Sequence, residues 1–157
     1  MDNLLVALLA ASMSTFGSFL LQMYVSRESR RQTYDEKRLM ALLDVRQEVE
    51  KAGGKWFGWA SARLGGESVE VCDSLEESAG SATNDAWYAT RVFEMYFPTM
   101  MKESQMMRDA ILRRKNEAHR QVALGGDFDA VKMKEASDAN LDAIVAKARK
   151  SLGYPTK

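Results

Sequence analysis

Residues 3–26 read NLLVALLAASMSTFGSFLLQMYVS, and residues 27–38 read RESRRQTYDEKR. No charged side chain interrupts the first stretch, and arginines begin the second at once. As a helix, Leu4 to Val25 is about 22 residues and about 33 Å long, enough to cross the hydrocarbon core of a bilayer. The apolar positions that would face lipid are Leu4, Leu5, Leu8, Leu9, Phe16, Phe19, Leu20, Leu21 and Val25. A cleaved signal peptide would need a basic start and a short apolar core before a small-residue cleavage site. Here Asp2 has the wrong sign, and Ala10-Ala11-Ser12 comes too early, with Phe16 to Leu21 still to follow. The serines, Thr15 and Gln22 make the run less apolar than a strong anchor, which leaves a buried helix of a soluble protein as the other rival. The reading that fits best is an uncleaved single span.

The flanks orient it. Asp2 stands on one side, and Arg27, Arg30, Arg31, Lys37 and Arg38 on the other. The excess of Lys and Arg on the cytoplasmic side of spans places the rest of the chain in the cytoplasm, at a bacterial inner membrane. The same cations would meet anionic lipid headgroups. Ala7, Ala10, Ser14, Gly17 and Ser18 recur at spacings of three and four. Small residues so placed let two spans approach closely, which suits self-association or docking on a partner's span.

Beyond the span, about 130 residues remain, enough for one modest domain with a core. Lys plus Arg and Asp plus Glu are balanced at 22 each, so no net charge draws the chain to nucleic acid. The single cysteine, Cys72, rules out an internal disulfide. Charge is nevertheless uneven. Glu67, Glu70, Asp73, Glu76, Glu77 and Asp85 occur without a Lys or Arg among them, and Arg108, Arg113, Arg114 and Lys115 dominate residues 102–120. The two stretches are complementary within the fold or between copies; a pair of solvated faces is the plainer reading.

Helical periodicity dominates this part. Leu39, Leu42, Leu43 and Val49 carry a helix out of the span to about Ala52, where Gly53-Gly54 is expected to break or kink it. Trp56, Phe57, Trp59, Ala60 and Leu64 form a short aromatic helix ending at Gly65-Gly66. Residues 67–83 give a weaker signal: Val69, Val71, Cys72 and Leu75 suggest a helix or an irregular segment, and Gly80-Ser81 suggests a loop. Thr83 or Asn84 caps a helix whose apolar side holds Trp87, Val92, Met95 and Tyr96. Pro98 ends it and starts the next, with Met101, Met107, Ala110, Ile111 and Ala118 facing inward. Gly125-Gly126 stops that helix, Asp127 or Asp129 caps a last one, and Gly153 ends it. Short connections favour antiparallel neighbours. The expected fold is therefore all-α: a transmembrane helix (1–26) continuing into an antiparallel bundle of three to five helices (27–153), with a tail at 154–157.

The layout resembles a loose set of small bacterial membrane proteins with one N-terminal span and a cytoplasmic helical bundle. The likeness rests on the uncharged start, on residues 30–39 (RRQTYDEKRL), on residues 93–98 (FEMYFP) and on residues 148–153 (ARKSLG). It implies topology and fold, and assigns no activity and no functional residue.

Catalytic constellations are hard to assemble. His119 is the only histidine and has Asn116, not Glu, three positions before it, so the Glu-x-x-His motif of di-iron bundles is missing. Cys72 sits next to Asp73, a poor setting for a reactive thiolate. Met100-Met101 and Met106-Met107 could bind Cu(I) only with help from Cys or His; core filling or an adaptable docking face suits them better. Trp56, Phe57, Trp59, Trp87, Tyr88, Phe93, Tyr96 and Phe97 are core candidates that could also line a ligand pocket. Gly-rich phosphate loops, Gly-x-Ser-x-Gly and His-Glu-x-x-His do not occur.

The reading that follows is a membrane-anchored protein that works by protein–protein interaction or scaffolding, with no enzyme chemistry and no cofactor or metal. Its partners would be lipid and a membrane or membrane-proximal protein, or a second copy of itself, and not nucleic acid. One alternative is a small-ligand sensor, favoured by a cavity among Trp56, Trp59 and Trp87. Another is a phage envelope lysis or exclusion factor with its helical part in the periplasm.

Overall fold

The computed structural model describes the backbone of residues 2–136 and 141–154, and the side chains of residues 20–134 and 141–154. The fold is all-α, with no strand among the described residues. Its helices are α1 (Asp2–Leu64), α2 (Val69–Tyr96), α3 (Met101–Leu124), α4 (Ala130–Ala136) and α5 (Leu141–Ser151), with a 3₁₀ turn at Pro98–Met100. The chain divides into two compact units, Met1–Lys37 and Arg38–Lys157.

In the first unit the backbone is helical. Among the described residues no helix is long and apolar enough to cross a membrane. Leu4, Leu5, Leu8, Leu9, Phe16 and Phe19 of the expected span, and the whole face Ala7, Ala10, Ser14, Gly17 and Ser18, lie outside the residues whose side chains are described. Leu20, Leu21, Tyr24 and Val25 are described and exposed.

The second unit is a helical bundle. Gly53-Gly54 does not break α1, which continues to Leu64. A mid-helix glycine costs about 1 kcal/mol against alanine. Gly53 has a reason to be there: a Cβ would overlap the Arg114 guanidinium, which rests on the helix backbone at that point. The helix ends where two glycines allow it to turn, with Gly66 at φ 80° and the Glu67 N–H donating to the Ala62 carbonyl at 3.1 Å.

Helix α2 starts much earlier than Thr83. Ser68 caps it, its hydroxyl accepting from the Val71 N–H at 3.4 Å. Its inner face is Cys72, Ala79, Ala82, Ala86, Ala89, Thr90 and Phe93. The expected inner positions Trp87 and Met95 are exposed instead, as is Met101 at the start of α3. Alanines let α2 lie close to its neighbours, with Phe93 the one large side chain of its inner face and Trp87, Tyr88 and Met95 turned outward. In α3, Met107, Ala110, Ile111 and Ala118 do face inward. Of the single last helix expected after Gly125-Gly126, Ala130–Ala136 and Leu141–Ser151 are helical, and residues 137–140 lie outside the described residues. Asp129 caps α4 by accepting from the Lys132 N–H at 3.0 Å. At the end of α5 the Tyr154 N–H reaches the Arg149 carbonyl at 3.1 Å, and Gly153 takes φ 80°, the Schellman arrangement.

Cross-helix contacts fix the directions. Arg38 Nε donates to the Tyr96 carbonyl at 3.2 Å, and Trp56 Nε1 donates to Thr83 Oγ1 at 2.9 Å, so α1 and α2 are antiparallel. Arg114 lies on Gly53, and His119 lies on Trp56 and Trp59, so α3 runs with α1. Arg46 pairs with Asp142 at 3.1 Å and Lys147 pairs with Glu103, so α5 runs back against both. The directions of α1, α2, α3 and α5 are up–down–up–down.

Two apolar clusters fill it. The larger gathers Leu42, Val45 and Val49 with Ala82, Ala86 and Ala89 of α2, Phe93, Phe97, Met107, Ile111, Ile144 and Val145. Phe93 and Phe97 stack with ring centres 4.7 Å apart. The smaller gathers Trp56, Trp59, Ala60, Ala79, Ala118 and Met133. Burying one such large side chain contributes about 1.5–3 kcal/mol.

Candidate functional site

Where Ala82, Ala86 and Ala89 of α2 share a core with Leu42, Val45 and Val49 of α1, an open groove lies between the two helices. Its lining is Ala41, Asp44, Gln47 and Glu48 from α1 with Asp85, Tyr88, Ala89 and Val92 from α2, and its volume is about 500 Å³. Ala41 and Ala89 are buried and form the floor, while Tyr88 stands 73 % exposed as one wall. The rim is acidic. Asp44 and Glu48 are one turn apart on α1, and Asp85 faces them from α2. One cation answers: Lys51 Nζ lies 2.9 Å from Glu48 and 3.5 Å from Asp85. The Glu48 hydrogen bond is the largest of the influences that hold the Lys51 ammonium above its ordinary value. Asp44 has no ion-pair partner among the described residues. Exposed ion pairs of this kind contribute about 0–1 kcal/mol, so these charges do little to hold α1 on α2 and remain available to an incoming group.

The aromatic layer is arranged differently. Trp56 and Trp59 meet edge to face at 5.6 Å, and the His119 ring lies 5.2 Å from the first and 4.6 Å from the second. Lys115 Nζ sits 5.4 Å over the Trp56 ring. Thr83 Oγ1 accepts from Trp56 Nε1, and its own O–H donates to the Ala79 carbonyl at 2.9 Å. Met133, Ala118 and Ala79 pack into the cluster. Trp87 is 39 % exposed and takes no part in it. Of the three rings the sensor reading names, Trp56 and Trp59 are thus buried together, and Trp87 is partly exposed and outside their cluster.

Two polar clusters lie between helices. On α2 and α3, Arg108 Nη2 approaches Glu94 Oε1 to 2.6 Å. That oxygen lacks a well-aligned hydrogen bond despite the short approach, so the contact is an ion pair. Burial pushes the Glu94 carboxyl up, but the Arg108 and Ser104 side chains outweigh it and hold the group below the usual carboxylate range. On α3 and α4, the Gln121 amide accepts from the Asp129 N–H and donates to the Asp129 carbonyl, both at 3.0 Å. It clamps the loop backbone as a strand would.

The remaining singled-out residues find plain roles. Cys72 is buried, its thiol directed at the Glu67 carbonyl at 3.8 Å. Among the described residues no three His, Cys, Asp or Glu side chains gather as metal ligands would. Of the basic residues assigned to lipid, Arg38 belongs to the bundle, bonded to Tyr96 and lying 4.8 Å over the Phe97 ring, whereas Arg27, Arg30, Arg31 and Lys37 are exposed. The groove itself was missed in the sequence. Its available signal was a run of alanines at spacings of three and four in residues 79–89, which small side chains kept below notice.

No family model matches this chain, and no curated protein and no solved structure matches it either.

Proposed function

We propose that this chain is a single-span membrane protein whose helical bundle binds another protein at the bacterial inner membrane, on the cytoplasmic side. The observation that carries the reading is the uncharged run of residues 3–26 followed directly by Arg27, Arg30 and Arg31. A run of that length satisfies its backbone internally as a helix, and its apolar side chains have no use for water. The cations after it favour the cytoplasm for all that follows.

The mechanism is tethering. Confinement to a surface raises the effective concentration of the bundle for partners on the same surface, and this adds avidity without new contacts. The acidic-rimmed groove of α1 and α2 supports the binding half of the reading, since it offers an apolar floor and unspent charge. The small-residue face Ala7, Ala10, Ser14, Gly17 and Ser18 adds a second place for contact, between spans.

Cell fractionation tests the anchor. The protein should pellet with membranes and resist alkaline carbonate, and deletion of residues 2–26 should release it. A reporter joined after Lys157 should be active in the cytoplasm. A freely soluble full-length protein would sink the proposal, and a reporter active only in the periplasm would replace it with the envelope lysis or exclusion reading.

A further inference from the structure

We propose that the groove between α1 and α2 docks the outer face of α3 from a second copy of this chain. The inference rests on the tethered-binder reading and names its partner. It starts from two unlike surfaces of the same bundle. The groove has an alanine floor and an acidic rim with one shared ammonium. The outer face of α3 is the complement in balance: between Lys102 and Arg113 it carries Asp109 as well, whose carboxylate already accepts from the Gln105 amide at 2.7 Å. Met101 and Met106 are 62 % and 47 % exposed, and Leu112 is 38 % exposed, on a helix whose interior-facing side is already filled. Lys102 and Arg113 flank them, exposed and without an ion-pair partner among the described residues. Methionines adapt to the surface they meet, and an alanine floor admits them without a steric demand. The carboxylates of the rim then have cations to face.

Height along the bundle agrees. Helices α1 and α3 run in the same direction, with Arg114 beside Gly53 and His119 beside Trp56. The Lys102–Arg113 stretch therefore lies level with residues 41–52 of α1, and these include the α1 wall of the groove. Two copies with the same orientation would present groove and ridge at one level. A face-to-face pairing of two grooves would instead oppose carboxylates to carboxylates. The contact is heterologous, so repetition gives a closed ring or an open row.

The test uses the full-length chain in membranes. Gln47→Cys places a thiol at the groove and Gln105→Cys places one on the α3 ridge, and Cys72 is too buried to compete. Co-expressed copies carrying one change each should be joined by a short bismaleimide linker. Asp44→Lys with Glu48→Lys should cut the joined fraction about 10-fold, and so should Lys102→Glu with Arg113→Glu; all four changes in one chain should restore it, because the charges complement again. Raised salt should weaken the wild-type contact. Joining of Gln47→Cys copies to one another, or indifference to charge reversal, would overturn the proposal. So would a joined fraction abolished by Ala10→Leu with Gly17→Leu but untouched by charge reversal, since contact would then run through the span. The pelleting of the same samples with membranes reports the anchor separately, so a failed crosslink in pelleting protein counts against the docking alone.

Discussion

The two apolar clusters of the bundle are built on different plans. The larger is a ladder of small and medium side chains shared by long helices, with alanines of α2 keyed against Leu42, Val45 and Val49 of α1 and with Phe93 and Phe97 at one end. The smaller is a pair of tryptophans closed by Met133 from the 7-residue helix α4. In the first, the contacts among Leu42, Val45, Val49, Ala82, Ala86, Ala89, Met107 and Ile111 are backed by several turns of helix on both sides. In the second, one wall is α4, held by the Gln121 clamp on the backbone just before it and by Phe128, whose ring meets Phe57 at 4.6 Å. The difference teaches where the bundle is rigid and where it can open.

The sharpest way to break the comparison is to hollow each cluster in turn. Phe93 is fully buried, and Phe93→Ala should cost about 3–5 kcal/mol, since long helices cannot collapse into the cavity. Met133 is equally buried, but Met133→Ala should cost less, about 2 kcal/mol, because α4 can settle inward. Urea unfolding of both variants measures this. Equal losses would mean that α4 is as fixed as the long helices. Tryptophan emission adds a second reading: Met133→Ala should shift it to the red by admitting water to Trp56 and Trp59, and Phe93→Ala should leave it in place.

A pH titration compares the clusters through their polar neighbours. Glu94 is held below its ordinary value by Arg108 and Ser104 against the pull of burial. A depressed carboxyl stabilises the fold above its unfolded value and loses that contribution as pH falls through the folded value. Wild-type protein should therefore lose more stability than Glu94→Gln between neutral pH and about pH 3, and at neutral pH Glu94→Gln should be the less stable by about 1–2 kcal/mol. Denaturant midpoints across the range decide it. Parallel curves would mean that the Glu94–Arg108 pair does no more than an exposed one.

The same contrast explains what could be read from the sequence. Helix ends marked by backbone chemistry were legible: Gly65-Gly66, Pro98, Gly125-Gly126 and Gly153 all lie where helices end or begin. So was the inner face of α3, because Met107, Ile111 and Ala118 follow the helical period with side chains large enough to notice. The first half of α2 was not. Its signal is Cys72, Ala79, Ala82 and Ala86, and alanine reads as neutral until a neighbouring helix is known to press against it. Trp87 and Met95 then drew the apolar side to the wrong face. The groove was hidden for a further reason: its walls lie about 40 residues apart in the chain, and no local pattern announces which two faces will meet. The start of α4 was legible only as a choice between Asp127 and Asp129; the buried Gln121, bonded to the Asp129 backbone, goes with the second.

Between the clusters lies the smallest test. Gly53 was expected to break α1 and instead makes room for the Arg114 guanidinium, which burial pushes below its ordinary value. Two opposed effects meet there. Gly53→Ala gains about 0.5–1 kcal/mol in helix preference, whatever its surroundings. It also displaces the end of a long side chain, and the packing of that side chain on α1 is lost. In wild-type background the two should nearly cancel. In an Arg114→Ala background only the gain is left, so Gly53→Ala should stabilise there by its full amount. A double-mutant cycle reads the difference as a coupling between residues 53 and 114. A coupling near zero would mean that the guanidinium moves aside freely, and Gly53 would then have no packing reason to interrupt an otherwise strong helix.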